Sequence, residues 1–470
     1  MFEVIDRVKP GLQKLVRTLR ERYPYASVLA VADENRRWSV NRSGVNISAS
    51  GRGGGTGYVV RIFDGTGCAE YSFNEFSEEK IPQLCAVLAR RLAEQGAALE
   101  GFRPLPTPVP PDEPADLKKT SVWKVRPGDM GDEAIIKRLT ALREKGLSLD
   151  SRVLDASVGA TYRASRKLFL SENRDLDQTV MWMSGNMMAM AARGQELKMG
   201  YRPYSILGGA EVLDGLDGKM EEAVRGAVEL LDSRPIPPGE YECVCDPATT
   251  GMIVHEAFGH GVEMDMFVKD RALARKCIGE SVASPLVTMR DGSAVDQTAT
   301  MFFDDEGTLT GDTVIIDKGV LKTGMCDALS AVRLGVKPTG NGRRESYERK
   351  AYTRMTNTYF QGGASTPEEM IASVKDGFLL ESPASGMEDP KNWGIQCMVT
   401  TAREIKDGRL TGTVFSPIVL TGYVPDLLKS VTMMSADVEL SGSGVCGKGY
   451  KEWVKVSDGG PYMKARIRLG

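Results

Sequence analysis

Both histidines of the chain lie within one short segment, His255-Glu256-Ala257-Phe258-Gly259-His260. Two histidines placed at random in 470 residues would stand five apart in roughly 1 case in 240, and a glutamate directly after the first lowers that chance about another tenfold. Neutral imidazoles are good zinc ligands, and a catalytic zinc keeps three protein ligands and one position open for water. Glu256 stands beside the first ligand and would serve as general base toward that water. The segment therefore indicates a hydrolytic zinc site. The plainer alternative is two hydrogen-bonded histidines in a buried helix.

The five-residue spacing makes a geometric prediction. Metalloprotease helices of the usual kind separate their histidines by four residues, which places both rings on one face. On a regular α-helix a separation of five leaves the rings about 140° apart, too far to share an ion. A π-bulge, or a helix that ends near Gly259, would bring His260 back toward His255. Since Gly259 and Gly261 flank His260 and glycine tolerates unusual backbone conformations, we expect a distorted helix here.

A third protein ligand is missing from the segment, and acidic residues or cysteines could supply it. The candidates are Glu263, Asp265, Glu280, the cluster Asp304-Asp305-Glu306, and a cysteine, since thiolates also bind catalytic zinc. Cys446 lies among small residues in SGSGVCGKG (441–449), where a metal could approach closely. A flexible turn with a buried thiol has the same composition. The acidic cluster has two further interpretations, as partners that orient imidazole N–H groups or as a turn after a strand.

Composition and charge exclude several classes of function. Lysine and arginine number 60 against 63 aspartates and glutamates, and this net charge of −3 argues against direct binding of nucleic acid. No apolar run reaches the ~18 residues of a membrane span, and the first residues, MFEVIDRVKP, contain no apolar signal segment. The eight cysteines show no CxxC pair and no disulfide-dense spacing. We therefore expect a reduced, cytoplasmic protein that does not associate with membranes.

The chain length predicts more than one domain, and the sequence pattern changes near residue 235. Residues 1–235 show helical periodicity, then strand-like segments, then helical periodicity, and this order occurs twice on either side of a Pro-rich connector at 103–114. Internal duplication is one interpretation. In residues 236–470 a short strand leads into a helix capped by Asp246, with Pro247 at its first position, and many short strands follow. The expected fold class is α+β, with N-terminal helix–β-meander–helix units followed by a sheet-rich C-terminal domain.

Three other segments have a functional interpretation beside a structural one. GRGGGTG (51–57) could cradle a phosphate or pair with a peptide backbone, but a glycine-rich hairpin is the simpler interpretation. Six methionines at 181–199 are typical of a core, or of an adaptable peptide groove. GNGRRESYERK (340–350) carries four basic residues, which suit a solvated loop, a carboxylate-binding site or a dimer contact.

Several motifs together resemble the TldD/PmbA metallopeptidases. They are HEAFGHGVEMD (255–265), FDDEG (303–307), RMTNTYF (354–360), TAREIKDGRLTG (401–412) and GVCGKG (444–449). In that family both histidines of HExxxH and a cysteine near the C-terminus hold the metal. The resemblance therefore implies zinc bound by His255, His260 and Cys446, with Glu256 as the catalytic glutamate. Since the PmbA-like branch lacks HExxxH, this chain resembles the catalytic, TldD-like branch, with residues 236–470 as its metallopeptidase domain.

The resemblance also implies substrates and partners. It indicates hydrolysis of peptides or unfolded protein segments at a site enclosed in a dimer, formed either with a second copy or with a PmbA-like subunit. Some relatives were described as modulators of DNA gyrase, so a regulatory protein with a structural metal is the alternative. A zinc hydrolase that acts on small amides is a third hypothesis. Retention of Glu256 favours an enzyme, because a structural metal site needs ligands but no base.

Overall fold

An eight-stranded sheet dominates the N-terminal half of the computed structural model, which describes residues 2–48, 55–98, 109–449 and 451–470. Its strands are β1 (Tyr25–Asn41), β2 (Gly44–Ser48), β3 (Gly55–Phe63), β4 (Cys68–Phe73), β5 (Ala115–Thr120), β6 (Val153–Leu170), β7 (Arg174–Arg193) and β8 (Glu196–Ile206). They run in the order β4-β3-β1-β6-β7-β5, with β2 paired to β1 and β8 paired to β7. The N-terminal helices are α1 (Glu3–Arg20), α2 (Ile81–Ala98), α3 (Pro127–Met130), α4 (Asp132–Ser148) and α5 (Asp217–Leu230).

The predicted order of helix, meander and helix occurs twice in this half. The first unit runs from α1 through β1–β4 to α2, and the second runs from α4 through β6–β8 to α5. They form one sheet because β1 and β6 pair antiparallel along most of their length, from Val28 opposite Leu170 to Val40 opposite Val158. Apolar side chains recur at helical spacing on α1 and are buried against the sheet, which is why the sequence pattern located this helix.

The C-terminal half is built from shorter strands in several sheets. Its strands are β9 (Gly239–Cys245), β10 (Met289–Gly292), β11 (Asp312–Asp317), β12 (Val320–Leu321), β13 (Gly342–Arg343), β14 (Tyr352–Thr353), β15 (Asn357–Phe360), β16 (Asp376–Asp389), β17 (Gly394–Lys406), β18 (Arg409–Phe415), β19 (Ile418–Tyr423), β20 (Met433–Met434), β21 (Glu439–Ser441), β22 (Val445–Lys448), β23 (Lys451–Lys455), β24 (Ser457–Gly460) and β25 (Met463–Leu469). A seven-stranded sheet has the order β16-β9-β25-β19-β17-β18, with β20 beside β25, and a six-stranded sheet has the order β12-β11-β10-β15-β24-β21. The pairs β13–β14 and β22–β23 stand apart from both.

Short helices connect these strands. They are α6 (Pro247–Met252), a π-helix (Ile253–Gly259), α7 (Met264–Val268), α8 (Ala328–Leu334), α9 (Pro367–Ala372) and α10 (Val424–Lys429). Single turns of 3₁₀ helix lie at Glu78–Lys80, Ala210–Gly215, His260–Val262 and Leu273–Cys277. The predicted fold class, α+β with a sheet-rich C-terminal half, is confirmed.

The largest apolar cores divide along the chain between Leu231 and Ile236. One core contains only residues from Ile236 onward, and two others contain only residues up to Leu231. This separation agrees with the predicted division into domains 1–235 and 236–470, which stays a prediction.

A turn of the C-terminal half docks on the N-terminal sheet. Asp304 forms this turn by accepting hydrogen bonds from the backbone N–H groups of Glu306 and Thr308, each at 2.9 Å. Gly307 has φ +78°, and a side chain there would collide with the ring of Phe169. Three ion pairs cross between the halves around this turn: Arg61 with Glu306, Lys167 with Asp305, and Arg344 with Glu70. A fourth, Arg403 with Glu229, joins the halves elsewhere. The turn interpretation of the acidic cluster is therefore correct, and the cluster does not orient the histidines.

The remaining segments have mixed outcomes. Most of GRGGGTG and the first part of the Pro-rich connector lie outside the described residues. Met181, Met183 and Met187 belong to the core, whereas Met199 is exposed. Within the described residues, the structure contains no helix with the length and apolar character needed to cross a membrane.

Candidate metal centre

The histidine segment forms a continuous but irregular helix. The carboxylate of Asp246 caps its start by accepting a hydrogen bond from the backbone N–H of Thr249 at 2.7 Å, as predicted. After α6 the backbone becomes a π-helix over Ile253–Gly259 and then a 3₁₀ turn at His260–Val262. Because a π-helix bonds each residue to the fifth one along, residues five apart come to lie on the same side. The predicted distortion is confirmed. The centroids of the two imidazole rings are 5.1 Å apart, with the rings perpendicular at 90°.

The irregular helix passes so close to its neighbours at Gly259 that there is no room for a side chain at this position. A Cβ atom on Gly259 would lie 2.4 Å from Sδ of Met355 and 3.1 Å from the carbonyl oxygen of Val254. Such contacts are far shorter than van der Waals distance, so the tight approach of the helix to Met355 requires glycine here.

Cys446 meets the two histidines from the other end of the domain. It lies on β22, opposite Val454 of β23, and its side chain is buried. Its Sγ lies 3.2 Å from Nε2 of His255 and 3.4 Å from Nε2 of His260, across 191 and 186 residues of chain. The three potential ligand atoms all lie within 4.8 Å of one another. Among the described residues, this is the one group of three or more histidine, cysteine or acidic side chains close enough to hold a metal ion.

The donor set fits zinc in both geometry and charge. With zinc–nitrogen and zinc–sulfur bonds of ordinary length, a tetrahedral site places a histidine nitrogen and a cysteine sulfur about 3.5 Å apart, close to the separations found here. Although burial opposes ionisation of the Cys446 thiol, the imidazoles of His260 and His255 lower its pKa to about 5. The thiolate, the form that ligates metals, is therefore favoured at neutral pH. Three protein ligands would leave the fourth position of a tetrahedral zinc open for water.

Glu256 lies next to the three potential ligand atoms but is not a member of that group. Its Oε2 is 3.9 Å from Nε2 of His260, and its side chain is 24% exposed. Gly386 of β16 gives it room, since a Cβ there would lie 2.4 Å from Cγ of Glu256. Burial raises the pKa of Glu256, and the histidines partly offset this rise. The carboxylate is thus close to the candidate centre and more basic than an ordinary glutamate.

Two further carboxylates approach the outer nitrogens of the imidazoles. Oδ2 of Asp458 lies 3.7 Å from Nδ1 of His255, and Oε2 of Glu263 lies 3.5 Å from Nδ1 of His260. Carboxylates in these positions fix the tautomer and orientation of ligating histidines. Burial opposes ionisation of Glu263, but Lys448, 3.0 Å away, and His260 hold its pKa well below the usual range. Glu263 therefore supports His260 and is not the third ligand.

A third carboxylate, that of Glu388, lies behind the helix. Its Oε2 accepts a hydrogen bond from the backbone N–H of Gly261 at 2.9 Å. Burial raises the pKa of Glu388 well above its ordinary range. The sequence pattern gave no signal for Glu388 or Asp458, because both come from strands more than 120 residues further along the chain. Spacing identifies partners on one helix and does not identify partners from distant strands.

The other acidic candidates for the third ligand are engaged elsewhere. Asp265 forms a salt bridge with Lys448 at 2.7 Å, and Glu280 is exposed. Asp304, Asp305 and Glu306 lie in the turn that docks on the N-terminal sheet. The geometry leaves Cys446 as the candidate that joins the two histidines.

Comparison with known proteins supports a common family. The sequence model of the PmbA/TldA metallopeptidase C-terminal domain matches residues 238–466. A metalloprotease from Methanothermobacter thermautotrophicus is 30% identical over 355 residues, which are 74% of this chain and 77% of the relative. The chain belongs to the PmbA/TldD metallopeptidase family. The HExxxH segment, Cys446 and Asp458 of this family member all fall within the matched residues.

One curated relative and one solved structure give further comparisons. A zinc metalloprotease TldD homolog from Saccharolobus solfataricus is 28% identical over 65% of this chain and 68% of its own length. The solved structure of a proposed modulator of DNA gyrase from Thermotoga maritima has a TM-score of 0.79, covers 98% of this chain and 100% of its own, and is 16% identical. At that identity the solved structure shows a shared fold.

Proposed function

We propose that the chain is a zinc-dependent peptidase, with zinc held by His255, His260 and Cys446 and with Glu256 as general base. The observation that carries the proposal is the convergence of three ligand atoms within 4.8 Å, from both ends of the C-terminal half, beside the carboxylate of Glu256. Membership of a metallopeptidase family supports the class of reaction. The name of one relative, a zinc metalloprotease, supports the choice of zinc.

The chemistry divides between the metal and Glu256. Zinc, when bound, would polarise the substrate carbonyl and lower the pKa of a water molecule in its open position. Glu256 would accept the proton of the attacking water at Oε2 and then return it to the nitrogen of the leaving amine. Because burial raises the pKa of Glu256, its basicity comes closer to neutral pH, which suits a group that both accepts and donates a proton.

The substrate class follows from access to the ligand atoms. His255 is 4% exposed and Cys446 is 6% exposed, and only the His260 side chain, at 21%, is partly exposed. The atoms that would hold zinc thus lie below the surface, which suits an extended peptide segment better than a folded protein surface. We therefore propose peptides and unfolded protein segments as substrates. We also propose that the chain works as a dimer, with a second copy or with a PmbA-like subunit, which light scattering of the chain alone and of the mixture would measure. Neither nucleic acid nor a membrane is a proposed partner.

The decisive experiment compares Glu256→Gln with the wild-type protein. Glutamine keeps the size of the side chain but cannot accept the proton as a carboxylate does. We expect zinc content to be retained and hydrolysis of an unstructured fluorogenic peptide to fall by about 10²–10⁴. Glu222→Gln is the matched control, because the Glu222 side chain is 32% exposed and pairs with Lys219 on a helix of the N-terminal half. Its activity should equal that of the wild type.

Other outcomes would correct the proposal in specific ways. Loss of zinc from Glu256→Gln would make Glu256 a ligand. Full activity of that variant would contradict its role as base. If the wild-type chain binds zinc but hydrolyses no peptide, alone or with a PmbA-like subunit, the regulatory hypothesis with a structural metal replaces the peptidase.

A further inference from the structure

A cavity of about 90 Å³ lies between the two halves of the protein, next to the candidate metal centre. One wall comes from β6 and β7 of the N-terminal sheet, and the other comes from the C-terminal half, including Arg343, Val454 and Lys455. Val454 is the residue directly opposite Cys446 in the β22–β23 hairpin. The cavity is therefore separated from the proposed zinc ligand by a single strand.

The cavity is lined by more positive charge than its neighbours neutralise. Three of its five cationic side chains are paired: Arg163 with Asp33, Lys167 with Asp305, and Arg344 with Glu70. The other two, Arg343 and Lys455, form no ion pair with any carboxylate of the described residues. One more carboxylate, that of Glu345, lines the cavity and pairs with neither of them.

Arg343 is held in place by a hydrogen bond to the backbone and forms no ion pair with the described residues. It is 9% exposed, and its Nη1 donates a hydrogen bond to the carbonyl oxygen of Met355 at 2.5 Å. Met355 is also the residue packed against Gly259 of the π-helix, so Arg343 is anchored to the same segment as the histidines. Burial lowers the pKa of Arg343 to about 10, although the carboxylates of Asp305 and Asp291 oppose this shift without forming an ion pair with it.

Lys455, on the same wall of the cavity, also forms no ion pair with the described residues. Its Nζ lies 4.4 Å from the centre of the Trp182 ring, and burial alone lowers its pKa to about 7. Buried polar groups nearly always have partners, yet within the described part of the chain three atoms of the cavity wall have none. They are Nε of Arg163, Oγ of Ser165 and Nε of Arg344. These unpaired donors indicate a site built to receive an acceptor from outside the chain.

We propose that this cavity binds a carboxylate of the peptide substrate. The proposal rests on the peptidase function proposed above. A guanidinium presents a planar fork that matches a carboxylate. The two unpaired cations and the carboxylate of Glu345 leave a net surplus of one positive charge, which suits a singly charged carboxylate better than a doubly charged phosphate. Lys455 follows the residue opposite Cys446, so its Cα lies roughly 6 Å from that of the proposed ligand by ordinary strand geometry. Because successive side chains of a strand point to opposite faces, the side chain of Lys455 lies on the other face of this hairpin from Cys446.

The carboxylate has two sources that peptide pairs can distinguish. One pair of unstructured peptides differs only in a free or an amidated C-terminus. The second pair is amidated and differs only in an internal glutamate or glutamine. Binding of each peptide to zinc-loaded Glu256→Gln protein is measured by isothermal titration calorimetry, and product analysis by mass spectrometry verifies that no hydrolysis occurs. In at least one pair the acid should bind about tenfold or more tightly than its neutral counterpart.

Variants then assign the preference to the cavity. Lys455→Met keeps the apolar contact with Trp182 and removes a buried amine, so it should fold at least as well as the wild type. It should lose most of the preference for the acid while binding the neutral peptide unchanged. Arg343→Lys keeps a charge but removes the fork, and should reduce the preference as well. Lys451→Met is the matched control, because Lys451 lies on the same strand, is exposed and does not line the cavity.

Each result decides the proposal. Preference for the free C-terminus alone assigns the site to terminal carboxylates, and preference for the internal glutamate alone assigns it to acidic side chains. Equal binding within both pairs, or a preference that Lys455→Met and Arg343→Lys leave intact, would overturn the proposal. Because the readout is binding, failure of the chain to hydrolyse any peptide would contradict the proposed function without removing the carboxylate site.

Discussion

Replacement of Asp458 by asparagine is expected to weaken zinc binding with little change in fold. Nδ1 of His255 has no hydrogen-bond partner among the described residues, and the carboxylate of Asp458 lies 3.7 Å from it. A carboxylate in this position aligns the ring and increases the basicity of the nitrogen that binds the metal. Asparagine keeps the shape and an acceptor oxygen but removes the charge.

The magnitude follows from the type of contact. Loss of such an outer partner typically lowers metal affinity by about 10- to 100-fold, or about 1.4–2.7 kcal/mol. The separation of 3.7 Å is longer than a hydrogen bond, and the amide oxygen of asparagine remains an acceptor. Both facts place the expected effect of Asp458→Asn near the lower limit, about tenfold, and that of Asp458→Ala closer to the upper limit.

The assay is competition for zinc between the protein and a chromophoric chelator at fixed pH. Asp312→Asn is the matched control, because Asp312 lies on β11 of the same six-stranded sheet, is exposed to a similar degree and pairs with Arg290. Its zinc affinity should equal that of the wild type. If Asp458→Asn and Asp458→Ala also bind zinc as the wild type does, then Asp458 does not support His255. If both variants lose thermal stability in the metal-free state, its role is in folding.

Three further predictions concern the ligand, the base and the contact between the halves. Cys446→Ala should remove zinc detected by elemental analysis and abolish peptide hydrolysis, and unchanged zinc content would return the acidic candidates. Gly386→Ala would place a methyl group 2.4 Å from Cγ of Glu256, so activity should fall at least tenfold while zinc stays bound; equal activity would show that Glu256 can move without loss. Burial opposes ionisation of Glu70, but its two arginine partners lower its pKa to about 2, below the usual glutamate value of 4.5. This difference contributes about 3 kcal/mol of stability above pH 4.5 that is lost as the pH falls through about 2. Urea unfolding at pH 5 and pH 2.5 should therefore show a smaller decrease for Glu70→Gln than for the wild type, and equal decreases would contradict the assignment.

The sequence was most informative where a structural requirement, such as metal binding or helix capping, is met by residues close together in the chain. One metal ion needs both imidazoles on the same side of the helix. The five-residue spacing of His255 and His260 therefore required more residues per turn than a regular α-helix has, and the π-helix satisfies this requirement. The cap formed by Asp246 was predictable for the same reason, because an N-cap depends on residues adjacent in sequence.

Features that depend on how distant strands come together could not be predicted. Asp458 and Glu388 reach the centre from β24 and β16, and no periodicity relates their positions to the histidine segment. The segment at 340–350 was equally ambiguous, since basic residues usually stay in solvent. Arg343 and Arg344 are buried instead, because the second pairs with Glu70 of the other half and the first lines the cavity. The burial of both arginines depends on contacts that form only when the two halves come together.

The docked turn also limits how far the C-terminal half can act as an exchangeable module. Asp305 and Glu306 are nearly inaccessible to solvent because Lys167 and Arg61 of the N-terminal sheet cover and neutralise them. Phe303 completes an apolar cluster made mostly by that sheet. A fragment that begins near residue 236 would expose this aromatic ring, leave two carboxylates without counter-ions and open one wall of the cationic cavity. Transplantation of the C-terminal half between relatives would therefore need matched basic positions on the recipient sheet.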